Sequence, residues 1–506
     1  MTASAEQSPA PLDPDVCYRA LSTRDDRFDG RFFVGVTSTG VYCRPVCPAR
    51  TPKRANCVFL PCAAAAQEAG FRPCLRCRPE TAPGTPAWAG TSATVQRALR
   101  LIDDGALDHD DLQALADRLG VGDRHLRRLF AEHLGASPGA VAQTRRLHFA
   151  KKLIDETDLP MAQVAHAAGY RSVRRFNTAV RRGLGRSPSE LRAVAPGRRR
   201  VASPAERGEG AGSRLGLAFK LPYRDPFDWS GLIGFFESHA LPGVEVVHAG
   251  RLWRTIALGE AAGWVSVERR AADSVLVAEL SLDRPAPLTT AAERLRALFD
   301  LRADPVAIQA HLAADARLAP AVAAAPGRRV PGAWDPFELA VRAILGQEVS
   351  VKGGITFARR LVERCGRPID TAGAAAEAGL SHLFPTPAAL TEADLSGLGL
   401  TGMRERALRG LAEAVLEGPD LLAPGRPLDE AIERLCALPG VGPWTAHYVA
   451  LRALGEPDAF PAGDLVLRQR LGSKSAPIAQ RALAERAEAW RPWRGYAALW
   501  LWGEGA

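Results

Sequence analysis

Seven of the nine cysteines lie within the first 77 residues: Cys17, Cys43, Cys47, Cys57, Cys62, Cys74 and Cys77. A unit of about 80 residues has a modest core and is commonly stapled by disulfides or a metal. Disulfides are the weaker option. The N-terminus, MTASAEQSPAPLDPDVC, has neither the basic start nor the apolar core of a secretory signal, and cytosolic thiols stay reduced. Four cysteines are paired by spacing: Cys43-x3-Cys47 and Cys74-x2-Cys77, with 26 residues between the pairs. Two such pairs can supply four thiolates to one tetrahedral zinc. Spacing alone fits a purely structural ribbon. Cys17, Cys57 and Cys62 have no partner at metal spacing and read as structural.

The 506 residues suggest about three to five domains. Hydrophobic residues at 47% and charged residues at 24% are ordinary for a globular chain. No run approaches the roughly 20 apolar residues of a membrane span, so the cytoplasm is the expected compartment. The net charge of +9 is unevenly spread: residues 1–200 carry +11 and residues 201–506 carry −2. Excess positive charge in the first two-fifths points to a polyanion such as nucleic acid.

Punctuation divides the chain into a cysteine-rich unit (1–85), a helical unit (91–193), a flexible linker (194–213, VAPGRRRVASPAERGEGAGS), an α+β unit (214–325) and a helical unit (326–506). TAPGTPAWAG at 81–90 reads as a further linker. The expected fold class is multidomain: a small zinc-bound α/β domain, an all-α DNA-reading domain, an α+β domain and an all-α core.

The words around the cysteines, GVTSTGVYCRPVCPAR and GFRPCLRC, resemble the N-terminal domain of the Ada methylation-response regulator over roughly residues 12–80. The resemblance implies zinc on Cys43, Cys47, Cys74 and Cys77. It also implies that Cys43 accepts a methyl group from a methylphosphotriester in DNA. Four thiolates on Zn²⁺ carry a net −2, and methylating one leaves −1, so DNA affinity should rise. Arg44, Arg50, Lys53 and Arg54 flank the first pair and are expected to contact phosphates.

DLQALADRLGVGDRHLRRLFAEHLG (111–135) reads as helix, glycine turn, helix. Its second helix presents Arg124, His125, Arg127 and Arg128 outward. PMAQVAHAAGYRSVRRFNTAVRRGLGRSPSELR (160–192) repeats the plan with Arg171, Ser172, Arg174, Arg175 and Asn177. A helix-turn-helix lays such a second helix in the major groove, where arginine can bond guanine edges. Two units joined by a long helix (about 141–156), with the pattern A-x3-G-[YF]-x-S-x3-F from Ala165 to Phe176, resemble the AraC-type regulator domain. Arg174 and Arg175 stand where that family often has small or polar residues. His125, His133 and His148 are expected to be solvated or to face phosphate.

LCALPGVGPWTAHYVALRAL (435–454) reads as helix, Leu-Pro-Gly-Val-Gly hairpin, helix. Gly440 and Gly442 permit a tight turn whose N–H groups can approach a DNA phosphate. Asp464 follows 22 residues after Gly442. A hairpin with a trailing aspartate is the pattern of helix-hairpin-helix DNA glycosylases. PYRDPFDWSGLIGFF (222–236), LFDLRADP (298–305), WDPFELAVRAILGQEVSV (334–351), LFPTPAAL (383–390) and WRPWRGYAALWLW (490–502) together resemble AlkA-type 3-methyladenine DNA glycosylase over residues 214–506. The resemblance implies Asp464 as the carboxylate, Trp444 and Trp502 in the base pocket, and Leu438–Gly442 as the DNA-holding hairpin. Trp444 stands where lyase-competent relatives place a lysine, which implies a monofunctional glycosylase. The family's apolar DNA wedge follows a Gly-Gln pair; here Gln347 is followed by Glu348. Gly503 stands where one aromatic of the family pocket is expected. Cys365 and Cys436 are too few for an iron–sulfur cluster.

The resemblances together imply a fused alkylation-response protein that excises alkylated purines and activates transcription once methylated. The Ada regulator's Pro-Cys-His-Arg methyltransferase site does not occur. Expected partners are double-stranded DNA, both alkylated and promoter, and RNA polymerase. No membrane is expected, and the chain is expected to be a monomer in the bacterial cytoplasm, at the nucleoid. Two alternatives stay open: a regulator whose glycosylase half only grips DNA, and a repair enzyme whose N-terminal half only adds DNA affinity.

Overall fold

Short apolar runs broken by turns build a four-stranded sheet in the cysteine-rich unit. Its strands are β1 (Phe33–Val36), β2 (Val41–Cys43), β3 (Cys57–Leu60) and β4 (Arg72–Pro73), in the order β3-β1-β2-β4. β1 runs antiparallel to β2 and β3, while β2 pairs parallel with β4. Every residue of β1 is buried. Gly35 lets the Phe71 ring lie against that strand, since a Cβ there would sit 2.6 Å from the ring. The computed structural model describes residues 13–83, 93–109, 111–194, 215–371, 373–418 and 420–503. The two linkers read from the sequence lie outside these residues, apart from 81–83 and 194 at their edges.

The DNA-reading unit holds both helical hairpins: Leu112–Arg118 with Asp123–Leu134, and Met161–Ala167 with Val173–Leu184. A 19-residue helix, Pro138–Glu156, joins them. Ser137 caps it with Pro138 in its first turn, a favoured way to start a helix. His133 is buried and His148 half-buried rather than solvated. His148 sits on the face of this central helix that receives Tyr42 of β2, with Tyr42 Oη 2.7 Å from its Nε2.

The third unit is a five-stranded antiparallel sheet: β5 (Leu215–Pro222), β6 (Glu245–His248), β7 (Arg251–Leu258), β8 (Ala261–Arg270) and β9 (Val275–Leu282). The strand order is β5-β9-β8-β7-β6. β9, VLVAELSL, is buried along its whole length. Period-two alternation fails in such a strand because both faces are covered. From Pro305 onward the chain is helical apart from two short strand pieces, and its helices share one apolar core.

The two halves are continuous in packing. One apolar cluster contains Phe149, Leu153 and Phe176 of the DNA-reading unit together with Phe219, Leu221 and Leu280 of the five-stranded sheet. Phe149 meets Phe219 edge-on with 6.4 Å between ring centres. Glu156, 2% exposed, lies 3.4 Å from Arg78 of the cysteine-rich unit and accepts the Lys220 N–H at 3.2 Å. Asp103 pairs with Arg302 at 2.6 Å, Arg100 with Glu456 at 2.9 Å, and Arg31 with Asp304. Among the described residues, no helix is long and apolar enough to cross a membrane.

Candidate metal centre and carboxylate site

Parallel pairing of β2 with β4 brings the two cysteine pairs to one end of the small sheet. The Arg72 N–H donates to the Gly40 carbonyl at 2.9 Å and the Cys74 N–H to the Tyr42 carbonyl at 3.0 Å. Each pair then closes a turn: Cys47 N–H to Arg44 O at 3.1 Å, and Arg78 N–H to Cys74 O at 3.1 Å. The Sγ atoms of Cys43, Cys47, Cys74 and Cys77 all lie within 4.8 Å of one another. Thiolates on a single tetrahedral zinc sit about 3.8 Å apart, from a Zn–S length near 2.3 Å. Thiolate donors in this arrangement fit zinc. The Arg44 N–H points at Cys77 Sγ, 3.4 Å away. Hydrogen bonding within the cluster, chiefly with Cys43, draws the Cys47 thiol down to about 7. Cys17 and Cys57 are buried in the same apolar cluster as Cys43, Cys47 and Cys77 but outside the four-sulfur group, and Cys62 is buried in the cluster under the first helical hairpin.

The four basic residues near this cluster divide in two. Arg50 and Lys53 are exposed and free to meet a phosphate. Arg44 corrects the expectation: its guanidinium pairs with Asp29 and donates to Thr81 Oγ1 at 2.7 Å and Cys77 O at 3.3 Å, tying the knuckle together. Arg54 lies over the Phe59 ring at 5.1 Å and near Asp15 at 3.8 Å. In the DNA-reading unit Arg124, Arg127, Arg128, Arg171, Arg174 and Arg175 are all exposed. Arg127 lies 3.7 Å from Asp123, Arg128 contacts His125, and Arg171 Nε donates to the Asp108 carbonyl.

In the helical body, the hairpin joins helix Leu428–Cys436 to helix Pro443–Arg452. Gly440 has φ +72, and a Cβ there would lie 2.9 Å from Ala407. Leu438 is half-buried against the core, whereas Gly440 and Gly442 are exposed. Trp444, in the first turn of the second helix, is 37% exposed, which separates it from the hydrophobic core. Its indole Nε1 donates to Asp464 Oδ2 at 2.7 Å. Asp464 is 8% exposed, and its Oδ1 accepts the Leu467 N–H at 2.9 Å, capping helix Leu465–Leu471. His447 Nδ1 accepts the Phe460 N–H at 3.2 Å, pinning the segment that leads to Asp464. Burial holds the His447 imidazole down at about 4.

Trp502 is half-buried against the same core. No hydrogen bond or ring contact among the described residues joins it to Trp444 or Asp464. Gln347 is turned inward: its amide donates to Gly440 O at 3.0 Å and Thr445 Oγ1 at 2.9 Å. Glu348 is exposed, with a left-handed φ of +55. Tyr448, which the sequence reading missed, stacks on Trp444 at 5.1 Å and 12°. Its hydroxyl accepts from Arg452, whose guanidinium also lies 4.6 Å over the Phe235 ring. Spacing could have found Tyr448, four residues along one helix face from Trp444. Nothing local marks Arg404, which donates to the Gln347 carbonyl from another helix.

An all-thiolate knuckle seated on two helix-turn-helix units, in one chain with a hairpin whose helix carries an indole-bound carboxylate, defines a DNA-handling protein with a regulator half and a repair half. Comparisons with known proteins agree. The chain matches the metal binding domain of Ada over residues 16–80, a helix-turn-helix domain over 115–193 and the AlkA N-terminal domain over 218–335. It is 45% identical over 488 residues, 96% of this chain and 95% of the relative, to the "Probable bifunctional transcriptional activator/DNA repair enzyme AlkA" of Mycobacterium tuberculosis. It is 36% identical over 288 residues to DNA-3-methyladenine glycosylase 2 of Escherichia coli, covering 56% of this chain and 96% of that protein. Among solved structures, 3-methyladenine DNA-glycosylase from Archaeoglobus fulgidus aligns with a TM-score of 0.48 at 24% identity, over 56% of this chain and 96% of that one. The chain belongs to the family of the mycobacterial protein, in which an Ada-like regulator is fused to an AlkA-type glycosylase.

Proposed function

We propose that the chain repairs and reports DNA alkylation through two separate chemistries: hydrolysis of the N-glycosidic bond of alkylated purines such as 3-methyladenine, and methyl transfer to Cys43. The single observation that carries the first is the buried carboxylate of Asp464 held against the exposed indole of Trp444. Base excision requires the nucleotide to leave the stack. As the bond to an alkylated, cationic purine breaks, positive charge develops on the sugar. A fixed carboxylate in a water-poor site stabilises that charge and helps place the attacking water. Stacking on Trp444 favours a cationic base over a neutral one, and Trp502 on the same core is the second candidate ring. Trp444 offers no amine for a Schiff base, so the sugar–phosphate strand stays intact.

For the second chemistry, bound zinc keeps the four thiols ionised at neutral pH. The Cys43 sulfur attacks the methyl carbon of the phosphotriester. The C–O bond breaks with its electrons on oxygen, leaving a phosphodiester anion and a neutral thioether. One negative charge is then lost beside Arg50 and Lys53, and phosphate affinity rises. Arg124, Arg127, Arg128, Arg171, Arg174 and Arg175 then read promoter DNA, and activation runs through RNA polymerase. On this reading the chain works as a monomer at the nucleoid. The test is base release from methylated duplex by the intact chain and by Asp464→Asn. Release by the intact chain only, without strand cleavage, supports the proposal. No release by either protein leaves a regulator with a silent second half.

A further inference from the structure

The exposed carboxylate of Glu348 stands at the edge of the proposed excision site, and neither chemistry above uses it. It forms the tip of the turn between helices Pro336–Leu345 and Val351–Cys365. Its backbone is left-handed at φ +55, a conformation that costs a non-glycine residue and persists only where neighbours enforce it. The neighbours here do so. Gln347 reaches across to Gly440 O and Thr445 Oγ1, and Arg404 holds the Gln347 carbonyl. On the other side Gly354 packs against Gly346, where an added Cβ would lie 3.2 Å from its Cα. Thr445 adjoins Trp444, whose indole carries Asp464. The tip is therefore fixed to the hairpin and to the site at once. Among the described residues, the Glu348 carboxylate has no hydrogen bond and no ion pair.

A rigid, unpaired acid facing DNA repels phosphate and gains nothing from a stacked duplex. Its position offers one compensation. When a purine leaves the stack, the partner base keeps its hydrogen-bonding edge and loses its partner. Cytosine then presents its N4 amino group, which a glutamate can accept from. Thymine presents its single ring N–H between two carbonyl oxygens, which repel a carboxylate. We infer that Glu348 occupies the vacated space and reads the estranged base, favouring cytosine and so biasing excision towards alkylated guanine.

This inference rests on the proposed glycosylase reading, and two measurements on the full-length protein separate them. The first is single-turnover release of 7-methylguanine placed opposite cytosine or opposite thymine. The cytosine-to-thymine rate ratio of the wild type is expected to exceed that of Glu348→Leu by at least about tenfold, the value of one hydrogen bond to a charged group; comparing the two proteins on the same substrates cancels the easier opening of the mispaired base. Glu348→Leu should lose that excess, and Glu348→Gln, which both donates and accepts, should recover thymine more than cytosine. The second is binding to a duplex with a tetrahydrofuran abasic analogue opposite each base, which needs no catalysis. The same cytosine preference, lost in Glu348→Leu, is expected. Equal cytosine-to-thymine ratios of rate and of affinity in the wild type and in Glu348→Leu overturn the inference. So does a Glu348→Leu gain that is equal for both, which makes the acid a source of phosphate repulsion only. No base release, with the cytosine preference intact in binding, overturns the glycosylase reading and keeps the inference.

Discussion

The Trp444 indole N–H and the Asp464 carboxylate are joined by a 2.7 Å hydrogen bond that links the hairpin helix to the start of the next helix. The other Asp464 oxygen caps that next helix through Leu467 N–H. One side chain thus serves folding and the proposed chemistry, and substitutions can separate the two. Asp464→Asn keeps a good cap but loses the charge. With the one amide oxygen on the cap, its NH2 group faces the Trp444 N–H, so base release is expected to fall by at least about a hundredfold, with a small drop in melting temperature from the lost indole bond. Asp464→Ala loses both, with about 1 kcal/mol of stability. Trp444→Phe keeps a ring and removes the donor, so base release should fall by about tenfold to a hundredfold. Single-turnover kinetics and thermal melts on the same samples check all three.

Zinc removal should reach beyond the knuckle. Arg78 follows Cys77 directly and lies 3.1 Å from Asp155 and 3.4 Å from Glu156 of the central helix. A chelator strong enough to strip the four thiolates is expected to lower the melting temperature and to weaken binding by the helix-turn-helix units. Metal content, circular dichroism and promoter affinity, measured together before and after zinc is restored, test this.

The basic residues near Cys43 should part into two classes. Arg50→Ala and Lys53→Ala are expected to weaken DNA binding and each to lower the salt slope by about one. Arg44→Ala should instead destabilise the zinc unit, because it leaves Asp29 without the guanidinium that pairs with it. Affinity titrations at several salt concentrations, beside thermal melts, distinguish the classes.

Three histidines predict the pH response. His148, His239 and His447 are each held down at about 4, first by burial. Each is neutral in the fold at pH values where the unfolded chain, titrating near 6.5, is already protonated. The unfolded state then binds more protons, so stability is complete above about 6.5, falls as the pH drops towards 4, and levels off below. His148 is expected to contribute on the order of 3 kcal/mol to that loss. Denaturant midpoints between pH 7.5 and pH 4.5, with His148→Gln flattening the slope, are the check.

The regulator and glycosylase halves should unfold together. Glu156→Ala leaves the Lys220 N–H without its buried acceptor and removes one of the three carboxylates around Arg78, which keeps Glu80 and Asp155. Leaving a buried donor unsatisfied costs about 1–3 kcal/mol. A single calorimetric transition in the wild type, split into two by Glu156→Ala, is expected.

The small ordered signals were legible in the sequence. The two cysteine pairs, both helix-turn-helix units and the hairpin are each set by residues a few positions apart: turn glycines, caps, apolar spacing and thiol pairs. Those features follow from local backbone sterics and metal geometry, which any neighbouring fold must accept. Tertiary packing decided the rest. Arg44 looked like a phosphate ligand and became an internal strut because Asp29 is buried beside it. His133 and His148 looked solvated, yet His133 is buried and His148 half-buried against Tyr42, because neighbouring elements close over them. Gln347 turned inward and left Glu348 outward because Gly440, Thr445 and Arg404, distant in sequence, converge on one turn. The boundary read at the 194–213 linker marks a break in chain chemistry, yet the apolar core runs past it from Phe149 to Phe219. A burial free energy depends on which surfaces meet, and that is a property of the folded chain rather than of any segment within it.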